Sequence, residues 1–189
     1  KEPRNLRLLA NAANFFLIYE SGVAEEILKK CAEIEPDNPH WPRQLGFLYS
    51  LPKEADESSP VETAPDAEAA RKALAALERA AELTTEPEMK LLQLTELAEM
   101  AFASGELEKA HGYATALLKG NDGPEKWNRG NRIHTGNTVL GRIALAGGDM
   151  EKAKAFLIEA GKCGGSPQLN SFGPDMTLAN ELLQRGETD

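Results

Sequence analysis

The chain carries three histidines, His40, His111 and His134, and two cysteines, Cys31 and Cys163, spread through an acidic sequence. A metal site read from sequence needs ligands within a turn of one another. None of the histidines has a ligand neighbour two to four positions on. GxSxG, HExxH and CxxC do not occur, and Gly161-Lys162 precedes Cys163 without the upstream glycine that a phosphate loop requires. These residues predict no catalytic group, no metal and no cofactor. The expectation is a protein that is not an enzyme, with an unmotifed site near His134, Asn137 and Arg142 as the competing reading.

Binding chemistry is better represented. In the run WNRGNRIHTGNTVLGR, Trp127 to Arg142, a helix from about 131 would point Ile133, Leu140 and Ala144 inward. Asn131, Thr135, Thr138 and Arg142 then recur at i, i+4, i+7 and i+11 as one polar row. Asn137 falls on the apolar side, where its amide must find partners. For Asn137 and His134 the expected role is a hydrogen bond clamping neighbouring helices.

Positioning such a row takes helices, and the sequence offers little else. Ala, Leu, Glu and Lys fill long windows with apolar spacing near 3.6, and aromatics are 6% of residues, which predicts an all-α chain. Caps and breakers cut it into helices over roughly 4–20, 22–35, 39–51, 66–84, 87–104, 106–119, 131–147, 149–162 and 174–186. At 189 residues the chain fits one domain, read as 4–189, with room for a continuous core. Lys+Arg 21 against Asp+Glu 30, a net −9, argues against nucleic acid, because phosphate attraction needs a cationic surface. The most apolar N-terminal stretch is broken by Asn11 and Asn14, so no membrane span of about 18 apolar residues is expected. The reading is a soluble protein, cytoplasmic or exported. Both cysteines are read as thiols, Cys31 as a small hydrophobe within a helix. Lys1 in place of Met implies an upstream segment removed before the present first residue.

The helices repeat. A first unit has Ala12, then Ala24-x3-Leu28-x2-Cys31, ending at Pro36; a second has Leu45-Gly46-x2-Tyr49, then Ala73-x3-Leu77-x2-Ala80. The third gives Leu97-Ala98-x2-Ala101, Gly105, then Ala110-x3-Ala114-x2-Leu117, and the fourth Leu140-Gly141-x2-Ala144, Gly148, then Ala153-x3-Leu157-x2-Ala160. In the first, third and fourth units the small residue of one helix precedes that of the next by 12 positions. Small residues at those places let an antiparallel pair approach closely. The steps between units are 34, 52 and 43, so the period holds once and then stretches around insertions.

These residues resemble the tetratricopeptide repeat, whose pattern is Leu-Gly-x2-Tyr, then Ala-x3-Phe, then Pro, at a 34-residue period. The likeness covers most of the chain in degenerate form. It implies a right-handed α-α superhelix of about four helix pairs, with the first helix of each pair lining a concave face that holds peptides. Carried onto this chain, that face comprises Asn14, Arg43, Thr95, Glu99, Asn131, Thr138 and Arg142. The expected partner is a protein or peptide with an acidic group near Arg142, since Asn131 to Gly165 carries a local +2. The alternative is a structural or oligomerisation module whose groove is filled by its own tail or a second subunit. Phe15, Phe16 and Phe47 are expected mainly in the core, with the alternative that one of Phe16 and Phe47 reaches the concave face, because consecutive apolar residues exceed what one stripe can bury.

Two further segments stand outside the pairs. Residues 52–66, with neighbouring Glu68 part of a local −5 interleaved with Ser and Pro, read as a flexible acidic insertion whose removal costs little. Residues 167–189 read as a loop and a capping helix, with Met176, Ala179, Leu182 and Leu183 as its apolar stripe. The run GSPQLNSFGPDMTLANELL is similar to the tail of certain bacterial repeat proteins, which implies further residues downstream.

Overall fold

A computed structural model describes residues 5–51, 65–120 and 126–187. Among the described residues there is no strand, and the α-helices are α1 (Leu6–Tyr19), α2 (Ser21–Ile34), α3 (His40–Ser50), α4 (Ala67–Leu83), α5 (Pro87–Ala103), α6 (Leu107–Lys119), α7 (Arg129–Ala146), α8 (Met150–Gly161), α9 (Pro167–Phe172) and α10 (Thr177–Gln184). A 3-10 turn, Lys126–Asn128, leads into α7. Some of their starts follow from side-chain caps that satisfy amides with no partner inside the helix. Asp66 accepts from Ala69 N at 2.8 Å, Asp149 from Lys152 N at 3.1 Å and Ser166 from Leu169 N at 3.1 Å. The acidic stretch 52–66 lies outside the described residues, apart from Pro65 and the capping Asp66.

The chain divides into two compact units, Lys1–Lys90 and Leu91–Asp189. In the first, α1 packs on α2, α2 on α3 and α3 on α4. Its core joins Leu9, Ala13, Ala24, Leu28, Cys31, Trp41 and Leu48. The fully buried small residue of α1 is Ala13, while Ala12 is half-buried. The sequence reading is therefore one residue out of register there: Ala10, Ala12 and Ala13 are all small, and Leu9, one turn before Ala13, decides which faces inward. At the α3–α4 crossing a Cβ on Gly46 would stand 2.6 Å from Leu77 Cγ, so only glycine permits that approach.

In the second unit α7 packs between α6 and α8, and α10 lies on both α7 and α8. Leu91 of α5 sits against Gly120 at the end of α6. Ala98 is fully buried, and a Cβ on Gly141 would collide with Leu178 of α10 and stand 3.1 Å from Phe156 Cβ. Gly141 thus stands at a close helix approach. On α10 the buried stripe is Leu178 and Leu182, packed with Leu145 and Ala153, whereas Met176 and Leu183 are exposed. The expected stripe fails at Met176 because the helix begins at Thr177 rather than 174, leaving Met176 at its cap, and at Leu183 because the buried face is the one that carries Leu178 and Leu182. Residues 167–172, read as loop, form α9.

Three helices of this unit end in the same way. Gly105, Gly148 and Gly186 adopt φ of 83°, 82° and 88°, a left-handed conformation that carries no Cβ penalty in glycine. The next amide in each case reaches five residues back: Glu106 N to Ala101 O at 2.9 Å, Asp149 N to Ala144 O at 2.9 Å, Glu187 N to Leu182 O at 3.2 Å. After Gly105 and Gly148 the chain turns straight into α6 and α8.

Candidate functional site

The polar row of α7 is the centre of the second unit. Arg142 lies with its guanidinium carbon 4.3 Å from the ring centre of Phe102 on α5, a cation–π arrangement. Its Nε and Nη2 both donate to Glu181 Oε1 of α10, at 3.0 and 2.7 Å. The two side chains are 23% and 31% exposed, so the pair is partly shielded from water. The acidic group expected near Arg142 is thus present, but it comes from the chain's own C-terminal segment.

That segment engages Asn131 too. Asn131 Nδ2 donates to Asn128 Oδ1 at 2.7 Å and to Gln168 Oε1 at 3.1 Å, while its Oδ1 accepts from the Ser166 hydroxyl. His134 is buried, with Nε2 3.2 Å from the carbonyl oxygen of Asp175, so it ties α7 to the link between α9 and α10 and not, as expected, to a neighbouring helix. Asn137 behaves otherwise: its amide donates to Ile133 O at 2.8 Å within α7, so it is satisfied one turn back and the expected clamp between helices is not the bond it makes. Thr138 is buried between the His134 and Arg142 positions, and its hydroxyl has no hydrogen-bond partner among the described residues. Arg132, counted in the sequence as part of a basic surface, is fully buried. Its three guanidinium nitrogens have no hydrogen-bond partner among the described residues.

Thr95 and Glu99 stand on α5, with Phe102 one turn beyond Glu99. Water reaches Glu99, yet the protein crowding it pushes its carboxyl up to about 7. Asp175 and Glu96 add to that rise and Arg142 opposes it. Glu99, Arg142 and Asp175 therefore share one electrostatic neighbourhood. Asn131 belongs to the opposite end of α7, with Ser166 and Gln168.

Asn14 and Arg43 lie in the first unit, Asn14 exposed on α1 and Arg43 half-buried on α3. Phe15 and Phe47 are 60% and 51% exposed; Phe15 is thus not core as expected, while Phe47 rather than Phe16 is the more exposed of the two for which the sequence left a surface position open. Phe15 meets Phe16 edge-on, ring centres 5.3 Å apart, while the adjoining interior is taken by Leu9 and Ala13 on α1 and Leu48 on α3. Between α2 and α3, Tyr49 donates to Glu25 Oε1 at 2.9 Å. Burial and this carboxylate push the phenol up to about 12.

Among the described residues no group of three or more His, Cys, Asp or Glu is placed to hold a metal ion, and no helix is long and apolar enough to cross a membrane. Sequence reasoning missed Glu181, Asp175, Phe102, Ser166 and Gln168 as neighbours of the row. Ser166-Pro167 was a readable helix start, but nothing in the spacing announces a pairing 39 residues apart. Comparison with protein-family models and with curated proteins returns no match.

Proposed function

We propose that this protein is a non-enzymatic, tetratricopeptide-like helical scaffold, a right-handed solenoid that binds an apolar segment of a partner protein on the first helices of its N-terminal pairs. The observation that carries the reading is the exposure of Leu8, Phe15 and Phe47 on α1 and α3. A contiguous exposed apolar patch marks a binding surface, and here the candidates carry polar neighbours, with Asn14 next to Phe15 in sequence and Arg43 one turn before Phe47. A second reading, a module closed by its own tail, is favoured in the second unit by the Arg142–Glu181 pair. The two are compatible if partner binding belongs to the first unit. Selection of peptides on the intact chain tests this. Enriched segments should be apolar and lose at least tenfold in affinity against Phe15→Ala with Phe47→Ala, while Arg142→Ala leaves affinity unchanged. Failure to enrich any segment, or affinity that tracks Arg142 and ignores the two phenylalanines, refutes the assignment to the first unit.

A further inference from the structure

The helix α10 repeats features of α5 and α7. Leu97-Ala98-x2-Ala101, Leu140-Gly141-x2-Ala144 and Leu178-Ala179-x2-Leu182 each precede by the same interval the glycine that ends the helix, Gly105, Gly148 and Gly186. The glycine turn itself is common at helix ends. Its coincidence with the Leu-small-x2-apolar spacing is what places α10 in the series. Backbone bonding agrees: Gly105 N to Phe102 O at 3.0 Å, Gly148 N to Leu145 O at 3.1 Å and Gly186 N to Leu183 O at 3.0 Å precede the longer-range bonds already described. The residue after the glycine is acidic each time, Glu106, Asp149 and Glu187. Asp149 caps the helix that follows, and Glu187 is held by Lys154 Nζ at 2.9 Å.

At two matching positions α10 is the more exposed, while Leu178 and Leu182 are at least as buried as Leu140 and Ala144. Leu145, just before the turn of α7, is 2% exposed and packs with Ala153 of α8; Leu183, at the matching place in α10, is 55% exposed. Gly141 is buried against Phe156 and Ala153 of α8 and against Leu178, whereas Ala179 is half-buried. What separates α10 from α7 at these two positions is the second helix, α8, that covers α7.

We infer that α10 is the first helix of a fifth pair, and that its face carrying Ala179 and Leu183 is the seat for a second helix of the α6 and α8 type. Such a helix is amphipathic, enters through the Gly186 turn, and presents alanine at the closest approach, as Ala110 and Ala153 do. It therefore extends the array and is not its terminal cap.

The test is to place a second copy of Asp149–Lys162 directly after Gly186 in the otherwise intact chain, beside a control carrying the same residues scrambled so that no apolar face forms. The copy should slow hydrogen exchange of the Thr177–Gln184 amides at least tenfold relative to the control. Leu183→Ala should be silent in the chain without the added helix and should undo most of that protection when the helix is present. Unchanged exchange in α10, equal protection by the scrambled helix, or protection indifferent to Leu183→Ala overturns the inference. If the extended chain misfolds, the added helix supplied as a free peptide to the intact chain gives the same readout: protection of α10 lost with Leu183→Ala supports the seat, and no protection at millimolar peptide overturns it.

Discussion

Replacing Gly141 by alanine sets two effects against each other at one atom. In a helix interior the change from glycine stabilises by about 0.8–1 kcal/mol, through lost backbone freedom in the unfolded chain. Gly112 on α6, where an added methyl would meet nothing within 4 Å, should show that gain alone. At Gly141 the methyl would meet Leu178 Cδ2 and press within 3.1 Å of Phe156 Cβ and 3.4 Å of Ala153 O. The side chain of Leu178 can yield, but it is fully buried, and expelling a leucine from such a site costs about 1.5–3 kcal/mol. The loss exceeds the gain, so Gly141→Ala should destabilise by about 1–2 kcal/mol while Gly112→Ala stabilises by about 0.8–1 kcal/mol. Urea unfolding followed by far-UV circular dichroism measures both, and exchange of α10 amides shows whether Leu178 has left its place. If Gly141→Ala is as stabilising as Gly112→Ala, the crossing of α7 with α8 and α10 is looser than described and the small-residue rule for these pairs fails.

Three other perturbations have definite outcomes. A double-mutant cycle of Arg142→Ala and Glu181→Ala should give a coupling of about 1 kcal/mol, reduced in high salt; zero coupling at low salt would remove the pair from the account of how α10 is held. The raised carboxyl of Glu99 holds its proton more tightly in the folded state, so this group's contribution to stability should fall as pH rises from about 4.5 to about 7. Glu99→Gln should be free of that fall and, after discounting for its exposure, more stable than the native chain by about 1 kcal/mol at pH 8 and no different near pH 4; identical pH profiles of unfolding would contradict this. Arg132→Ala should cost about 2–4 kcal/mol in urea unfolding through lost packing of the buried side chain, and a cost under about 0.5 kcal/mol would mean that the guanidinium is not held inside the unit.

The helices were legible because their signals are local. Asp66 and Asp149 sit where a cap must sit, Gly105 and Gly148 sit where a left-handed turn must, and leucine and alanine recur at helical spacing between them. Legibility ends where a choice depends on tertiary neighbours. Ala12 and Ala13 are chemically alike, and only the packing of Leu9 and Trp41 in the same core separates them. Arg142 was recognisable as a polar residue of the inner row, yet its carboxylate partner on α10 follows no periodicity. Arg132 was read as surface charge because sequence gives long cationic residues a strong prior for solvent. Phe15 failed in the opposite sense: its hydrophobicity predicted a core that other residues already fill.

The two tryptophans fall in different units, Trp41 buried in the core of the first and Trp127 half-exposed in the 3-10 turn that precedes α7. Emission from the indole of Trp41 should be blue-shifted and sensitive to loss of the α2–α3 packing, whereas Trp127, already in contact with water, changes little on unfolding. Fluorescence is thereby a reporter of the N-terminal half, while helical dichroism sums over both. Superposition or separation of the two denaturation curves consequently reads out whether the halves melt as one cooperative body or in turn, with no label and no substitution.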